Sequence, residues 1–145
     1  MRSRILLLAA ALLAACGPAL ATDYLSLAQV AVMYDTPSAK GKPLFVVQRY
    51  TPVEVVVNLG DWVKVRDAEG TIAWIEKHSL SPARTVMTTT RAQVRQGPDA
   101  SAPVVFETDS GVALELLESA PPGWAKVKHR DGQSGFVRIN QVWGL

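Results

Sequence analysis

The chain has 145 residues, with 15 lysines and arginines against 13 aspartates and glutamates, and a single cysteine. Because Arg2 and Arg4 lie in a leader, the rest of the chain carries equal numbers of basic and acidic side chains. A neutral surface of mixed sign argues against nucleic acid as a partner. One cysteine excludes a disulfide within the chain, so each folded unit must be held together by packing alone.

Residues 1–21 have the composition of an export signal peptide. Arg2 and Arg4 precede an unbroken apolar run over residues 5–15. A helix of that length spans about 16 Å, too short for a membrane core of roughly 30 Å. Positive charge followed by a short apolar run is typical of a signal that is removed after export.

The processing site has two interpretations. The sequence ALA at residues 19–21 predicts cleavage that leaves Thr22 as the new N-terminus. The sequence LAAC at residues 13–16 resembles a lipobox, which would instead make the protein a lipoprotein acylated at Cys16. We favour the soluble periplasmic form, and we expect no transmembrane helix in the mature chain.

The rest of the chain is an internal repeat. The stretch WVKVRDAEGTIAWIEKHSL (residues 62–80) resembles WAKVKHRDGQSGFVRINQVW (residues 124–143), so that Trp62 corresponds to Trp124. The likeness continues upstream, where VEV at residues 53–55 matches LEL sixty-one positions later. We therefore expect a duplicated unit of some sixty residues.

Each half predicts short β-strands separated by turns. Segments such as VEVVVNL and WAKVKH are rich in β-branched residues and partly alternating, and glycine, proline and aspartate cluster between them. The predicted fold is all-β, with domains at residues 22–83 and 84–145. The connection at residues 81–92 has one proline and no glycine, which favours two domains packed together. We expect Trp143 to act as a terminal clasp, packing against its own barrel or against the neighbouring domain.

Both halves resemble the bacterial SH3-like domain, often called SH3b. The second half carries most of the likeness, in AQVRQGPDASAPVVFET (residues 92–108) and PPGWAKVKHRDGQSGFV (residues 121–137). The first half matches through GDWVKVRDAEGTIAWI (residues 60–75), but Tyr34 stands where the family motif has an arginine. The resemblance implies two tandem SH3-like small β-barrels.

The resemblance also implies where ligands bind. In several SH3-like domains one loop segment borders the ligand groove. The corresponding residues of this chain are Tyr34, Asp35, Arg95, Gln96 and Asp99. For Asp99 the alternative is a role in forming the turn after Gly97 and Pro98. The family's late aromatic, here Trp74 and Phe136, is implied to help close each barrel.

A second set of candidate binding residues comes from strand alternation. Successive side chains of a strand point to opposite faces, so a tryptophan and two cations should share the outer face of each domain. These rows are Trp62, Lys64 and Arg66 in the first half and Trp124, Lys126 and Lys128 in the second. Such a row could stack on a sugar or peptide and attract a carboxylate. Alternatively the basic stems simply cover the indole, a cation–π contact of about 0.5–1 kcal/mol.

The sequence contains little that could carry catalysis. Its two histidines, His78 and His129, occupy non-equivalent positions of the repeat, and we expect both to be surface or turn residues. No spacing typical of a metal site or a phosphate-binding glycine loop is present, so we predict neither metal nor cofactor. We expect a binding protein rather than an enzyme, and the family implies peptidoglycan as its target. The alternative is a scaffold that binds an envelope protein.

Overall fold

A computed structural model describes residues 22–118 and 120–145. The predicted signal peptide at residues 1–21, and with it Cys16 as a possible lipidation site, lies outside the described residues. Within them the structure contains no helix with the length and apolar character of a membrane span.

Seven strands form the first sheet, in the spatial order β3-β2-β6-β5-β4-β1-β7, and every neighbouring pair is antiparallel. A 3₁₀ helix, Lys77–Ser79, joins β6 to β7. The strands are β1 (Tyr24–Leu27), β2 (Ala31–Tyr34), β3 (Pro43–Val47), β4 (Pro52–Leu59), β5 (Trp62–Arg66), β6 (Ile72–Glu76) and β7 (Leu80–Ser81).

The second half repeats this topology. Its sheet has the order β10-β9-β13-β12-β11-β8-β14, which matches the first sheet strand for strand, and a 3₁₀ helix, Ile139–Gln141, precedes the last strand. The strands are β8 (Thr85–Thr88), β9 (Ala92–Arg95), β10 (Val104–Thr108), β11 (Ala113–Leu116), β12 (Trp124–Lys128), β13 (Ser134–Arg138) and β14 (Val142–Trp143). The predicted all-β duplicated fold is confirmed.

The sheets are more open than the expected barrels. Over the described residues, β3 and β7 form the two edges of the first sheet, and β10 and β14 form those of the second. Each sheet therefore curls around its core without closing into a hydrogen-bonded barrel.

Each domain has its own hydrophobic core, built from the inward side of the strand alternation. In β5 the side chains of Val63 and Val65 are buried, and in β12 those of Ala125 and Val127 are buried. The first core is formed by Leu27, Met33, Val47, Val53, Val63, Val65, Ala73 and Ile75. The second is formed by Val86, Ala92, Val94, Leu114, Ala125, Val127, Val137 and Val142. Two separate valine-rich cores are what the repeat predicts.

The two domains contact one another directly. The buried Thr85 donates its hydroxyl hydrogen to the carbonyl oxygen of Tyr50 over 2.7 Å. The rings of Tyr24 and Trp143 meet edge to face with centroids 5.2 Å apart. The predictions of packed domains and of Trp143 as a terminal clasp are therefore confirmed. A domain boundary between residues 83 and 84 stays a prediction.

Candidate functional site

The outer face of each sheet carries the side chains that the alternation places there. In β5 the side chains of Trp62, Lys64 and Arg66 are half-buried, opposite the buried valines. In β12 Trp124 and Lys126 are half-buried, and Lys128 is exposed. These side chains therefore point to the outer face as expected. Their closest contacts, however, are with residues of neighbouring strands and not with one another along the same strand.

In the first domain, an aromatic group forms across three strands. Tyr34 lies opposite Trp74 in the ladder between β2 and β6, and Trp74 lies opposite Lys64 in the ladder between β6 and β5. The Tyr34 and Trp62 rings meet edge to face, with centroids 5.6 Å apart and an interplanar angle of 82°. We call these four residues, Tyr34, Trp62, Lys64 and Trp74, the aromatic platform.

The cations do not align along their own strand with Trp62. The Lys64 ammonium lies 5.8 Å from the centroid of the Trp74 ring. Arg66 turns the other way and pairs with Glu54, with Nη1 3.0 Å from Oε2. Direct cross-strand neighbours have Cβ atoms about 4.5–5.5 Å apart, whereas side chains two positions apart on one strand are separated by roughly 6.6 Å. The Lys64 cation therefore reaches the neighbouring strand, although Trp62, Lys64 and Arg66 share the outer face as expected. A binding role for this row stays a prediction.

The second domain uses the equivalent positions differently. The Arg138 guanidinium lies 4.6 Å from the centroid of the Trp124 ring. Lys126 lies 5.8 Å from the Phe136 centroid and pairs with Glu118 over 2.7 Å. The hydrogen bond from Lys126 holds the pKa of the Glu118 carboxyl below its usual range. Arg138 and Lys126 are therefore already engaged within the protein, whereas Lys128 forms no ion pair within the described residues.

The resemblance implied that Trp74 and Phe136 help to close the barrels, but neither side chain belongs to a buried core. Each is half-buried on the outer face, while Ala73 and Ile75 in β6 and Val137 in β13 are the buried members of these strands. In both domains a lysine lies over the aromatic ring. Sequence reasoning did not single out Arg138, and it assigned Trp74 to packing and not to the outer face. The register of the β12–β13 and β5–β6 hairpins is the signal that places both residues.

The loop residues mainly hold their own loops. The Asp35 carboxylate accepts a hydrogen bond from the Lys42 backbone amide at 2.8 Å. The backbone amide of Gln96 donates to Pro103 O, as that of Asp35 does to Lys42 O in the first domain. Both loops are thereby closed at equivalent positions.

Arg95 and Asp99 brace the loop between β9 and β10. Arg95 donates from Nη1 to the carbonyl oxygen of Ala102 over 2.8 Å and from Nη2 to Gln93. Asp99 accepts from the Ser101 backbone amide, and this hydrogen bond lowers the pKa of the Asp99 carboxyl. The turn-forming alternative for Asp99 is therefore confirmed.

An open depression of about 480 Å³ adjoins the aromatic platform. It is lined by Asp61, Trp62, Glu76, Lys77 and His78. The depression gives a ligand access to one side of Trp62, next to groups of both signs. A zwitterionic or peptide-like ligand matches such a mixed lining better than a purely anionic polymer.

Each histidine lies beside a carboxylate two residues away in the sequence, at the end of β6 or in the turn after β12. His78 Nε2 lies 3.1 Å from Glu76, and His129 Nδ1 lies 3.2 Å from Asp131. No group of three or more histidine, cysteine or acidic residues within 22–118 and 120–145 is arranged to hold a metal ion.

The chain belongs to the bacterial SH3 domain family. A family profile described as "Bacterial SH3 domain" matches residues 28–82 and again residues 88–144. The predicted resemblance and its tandem arrangement are thereby confirmed. No curated protein matches the chain.

Several solved structures resemble this chain at low sequence identity. NlpC2 of Trichomonas vaginalis is 14% identical with a TM-score of 0.40, and the match covers 85% of this chain and 48% of that protein. NlpC1 of the same organism is 15% identical with a TM-score of 0.40, covering 93% and 50%. An NlpC/P60 family protein of Bacillus cereus ATCC 10987 is 17% identical with a TM-score of 0.39, covering 83% and 55%. The chain thus spans about half the length of these proteins.

Proposed function

We propose that this protein is a non-enzymatic binding module of the bacterial cell envelope that recognises peptidoglycan or its peptides through the aromatic platform of the first domain. The observation that carries the proposal is the edge-to-face pair of Tyr34 and Trp62, beside an ammonium group and an open depression. Aromatic faces stack on sugar rings and peptide planes, and Lys64 can attract a carboxylate at the same place.

The first domain suits this role better than the second. In the second domain Arg138 covers the Trp124 ring, and Lys126 is paired with Glu118. A ligand there would have to displace contacts that already exist. In the described part of the first domain, no ion pair engages Lys64, so its charge is available to a ligand. The platform and its second-domain counterpart therefore provide a matched comparison.

The proposal places the protein outside the cytoplasm. The signal-peptide composition of residues 1–21 supports export, and cleavage before Thr22 would give a soluble periplasmic protein. Acylation at Cys16 would give a membrane-anchored form. The intact mass of the mature protein distinguishes the two, because only the lipoprotein begins at a cysteine that carries acyl chains.

Cosedimentation of the purified protein with isolated sacculi tests the function. We expect the parent protein to sediment, and we expect Trp62→Ala to weaken binding by about tenfold or more, as for aromatic residues that become buried when a partner binds. The matched control Trp124→Ala should bind within about twofold of the parent, because Arg138 already covers the Trp124 ring. A factor of two corresponds to about 0.4 kcal/mol of binding free energy. Soluble muropeptides should compete.

Absence of sedimentation would contradict wall binding. If envelope crosslinking then captured one protein partner with the parent chain but not with Trp62→Ala, the same platform would serve a scaffold. If Trp62→Ala and Trp124→Ala weakened sedimentation equally, both domains would bind, and the assignment to the first domain would be wrong.

A further inference from the structure

A cleft of about 520 Å³ lies at the junction of the two domains. Its walls come from the connection between β3 and β4, the connection between β7 and β8, the outer side of β11 and the turn between β12 and β13. None of its lining residues belongs to the aromatic platform. Clefts between domains are a common place for ligand sites.

Positive charge is concentrated in this cleft. Among its described lining residues four are cationic, namely Arg49, Arg84, Lys128 and Arg130, and one, Glu115, is acidic. The chain outside the leader has equal numbers of acids and bases, so the cleft departs strongly from the average surface. A second cleft at the junction is lined by Asp67 and Glu69 and has no lysine or arginine among its described lining residues. Positively charged side chains therefore line mainly the first cleft, and negatively charged side chains line the second.

The cations differ in how firmly they are held. Arg84 donates from Nη2 to the Gly144 carbonyl oxygen over 2.7 Å, and its guanidinium lies 5.4 Å from the Tyr24 ring centroid. Arg49 lies 4.7 Å from the centroid of the Tyr50 ring. Arg84 thus has a structural role. Arg49 lies over the Tyr50 ring, and within residues 22–118 and 120–145 its guanidinium donates no hydrogen bond to the protein, so its donors can face a ligand.

A comparison within the repeat shows that an ion pair of the first domain has no counterpart in the cleft. In the first domain Glu54 lies opposite Arg66 in the β4–β5 ladder and forms an ion pair with it. In the second domain Glu115 lies opposite Lys128 at the corresponding ladder position. Among the described residues, no ion pair engages Lys128 or Arg130. These two cations border the cleft together with Glu115, which forms no ion pair with either of them within the described residues.

Tyr50 gives the cleft a partly apolar wall and has a strained backbone. Its backbone has a φ of 71°, a left-handed conformation that a tyrosine rarely adopts, and Thr85 fixes its carbonyl oxygen. Strained residues persist where the surrounding structure determines them, and they cluster at ligand sites. The Tyr50 ring and Leu116 supply apolar surface beside the cations.

We propose that this junction cleft binds an acidic peptide, whose carboxylates are held by Arg49 and Arg130 and whose backbone lies against Tyr50. Arginine binds carboxylates through two parallel hydrogen bonds, and a cleft lined by one sign of charge concentrates the opposite sign. Because Arg49 and Arg130 belong to different domains, the site exists only in the packed two-domain arrangement. The proposal is independent of wall binding by the aromatic platform.

Titration of the purified ¹⁵N-labelled protein with the tripeptide Ala-Glu-Glu tests this site by NMR. Saturable shifts should appear at the amides of Tyr50, Thr85 and His129, which come from both domains. The isosteric tripeptide Ala-Gln-Gln should bind at least about tenfold more weakly, because charge-assisted hydrogen bonds are lost. Added salt should weaken Ala-Glu-Glu binding.

Two double variants that each remove two positive charges, one inside the cleft and one outside it, provide the control. The double substitution Arg49→Gln and Arg130→Gln should weaken binding by about tenfold or more, while Lys40→Gln with Arg91→Gln, outside the cleft, should change it by less than about twofold. Lys128→Gln should give an intermediate loss. Equal loss in both double variants, equal binding of Ala-Gln-Gln, or binding of inorganic phosphate without binding of Ala-Glu-Glu would each overturn the proposal.

Discussion

The rings of Tyr34 and Trp62 meet edge to face across β6, with centroids 5.6 Å apart. In the repeat, Arg95 occupies the position of Tyr34, and its guanidinium is directed into its own loop, where it donates to Ala102 O. Trp124, the counterpart of Trp62, is covered by Arg138 instead. Where the first domain has Tyr34 the second has Arg95. The tryptophan of this face therefore contacts a tyrosine ring in the first domain and an arginine of the next strand in the second.

A double-mutant cycle measures the Tyr34–Trp62 contact. The free energies of unfolding of Tyr34→Ala, Trp62→Ala and the double variant should show a coupling of about 0.5–1.5 kcal/mol, the range for aromatic pairs. A cycle between Tyr34 and Trp124, which lie in different domains, serves as the control. Its two substitutions should be additive within about 0.5 kcal/mol. Equal coupling in both cycles would mean that the ring contact does not contribute specifically.

Much of the platform could be predicted from the sequence, and the reason is local. Alternation along β5 correctly assigns Trp62 and Lys64 to the outer face and the valines to the core. Alternation does not say which residue lies beside Lys64, because that depends on the pairing with β6. The turn at Asp67 to Gly70 sets this register, which places Trp74 opposite Lys64. Cross-strand neighbours therefore require the hairpin register as well as the strand pattern.

The junction could not be predicted in the same way. Arg49 and Arg130 lie in turns of different domains, and the pattern of neither half places one near the other. Their proximity depends on contacts such as that of Thr85 with Tyr50. The openness of the sheets was likewise not predicted, because the family resemblance implies closed barrels, whereas β3 and β7 remain at opposite edges of the first sheet.

Removal of the junction hydrogen bond should destabilise the whole protein. Thr85→Val keeps the shape of a buried side chain but loses the hydroxyl that donates to Tyr50 O. We expect the free energy of unfolding to fall by about 1 kcal/mol, the net value of a typical hydrogen bond. Chemical denaturation followed by tryptophan fluorescence measures the change. The control Thr90→Val, at an exposed threonine, should differ from the parent by less than about 0.5 kcal/mol.

The connection between the domains should resist trypsin. Arg84 donates to the Gly144 carbonyl oxygen and lies over Tyr24, so its side chain is held against the protein. Arg84 is exposed like Lys40, but because these contacts hold its side chain, limited digestion should cut first at loop residues such as Lys40 rather than after Arg84. Mass spectrometry of the early fragments identifies the sites. Rapid cleavage after Arg84, with release of two folded halves, would show that the domains are only loosely tethered.

Gly135 should tolerate no larger side chain. An added Cβ would collide with the Arg95 carbonyl oxygen and would lie 2.8 Å from Val94 Cγ1. Backbone would have to move, so Gly135→Ala should lower the free energy of unfolding by about 1–3 kcal/mol, as for other overpacked sites. The control Gly97→Ala meets only Ala102 Cβ, at 3.8 Å, and should leave the melting temperature unchanged or slightly higher. Equal losses for the two variants would contradict the close approach of β13 to β9.

Asp99 should contribute stability that depends on pH. The hydrogen bond from the Ser101 backbone amide lowers the pKa of its carboxyl in the folded state, whereas the unfolded chain has the ordinary value. A folded-state pKa below the unfolded one contributes stability above the unfolded pKa, and this contribution is lost as the pH falls through the folded pKa. Asp99→Asn should therefore melt at a lower temperature than the parent near neutral pH, and the two curves should converge in acid. Asp131, whose pKa is lowered chiefly by the Gln133 backbone amide, should behave in the same way in Asp131→Asn. A difference in melting temperature that stays constant across the whole pH range would mean that loop geometry, and not the ionised carboxylate, is responsible.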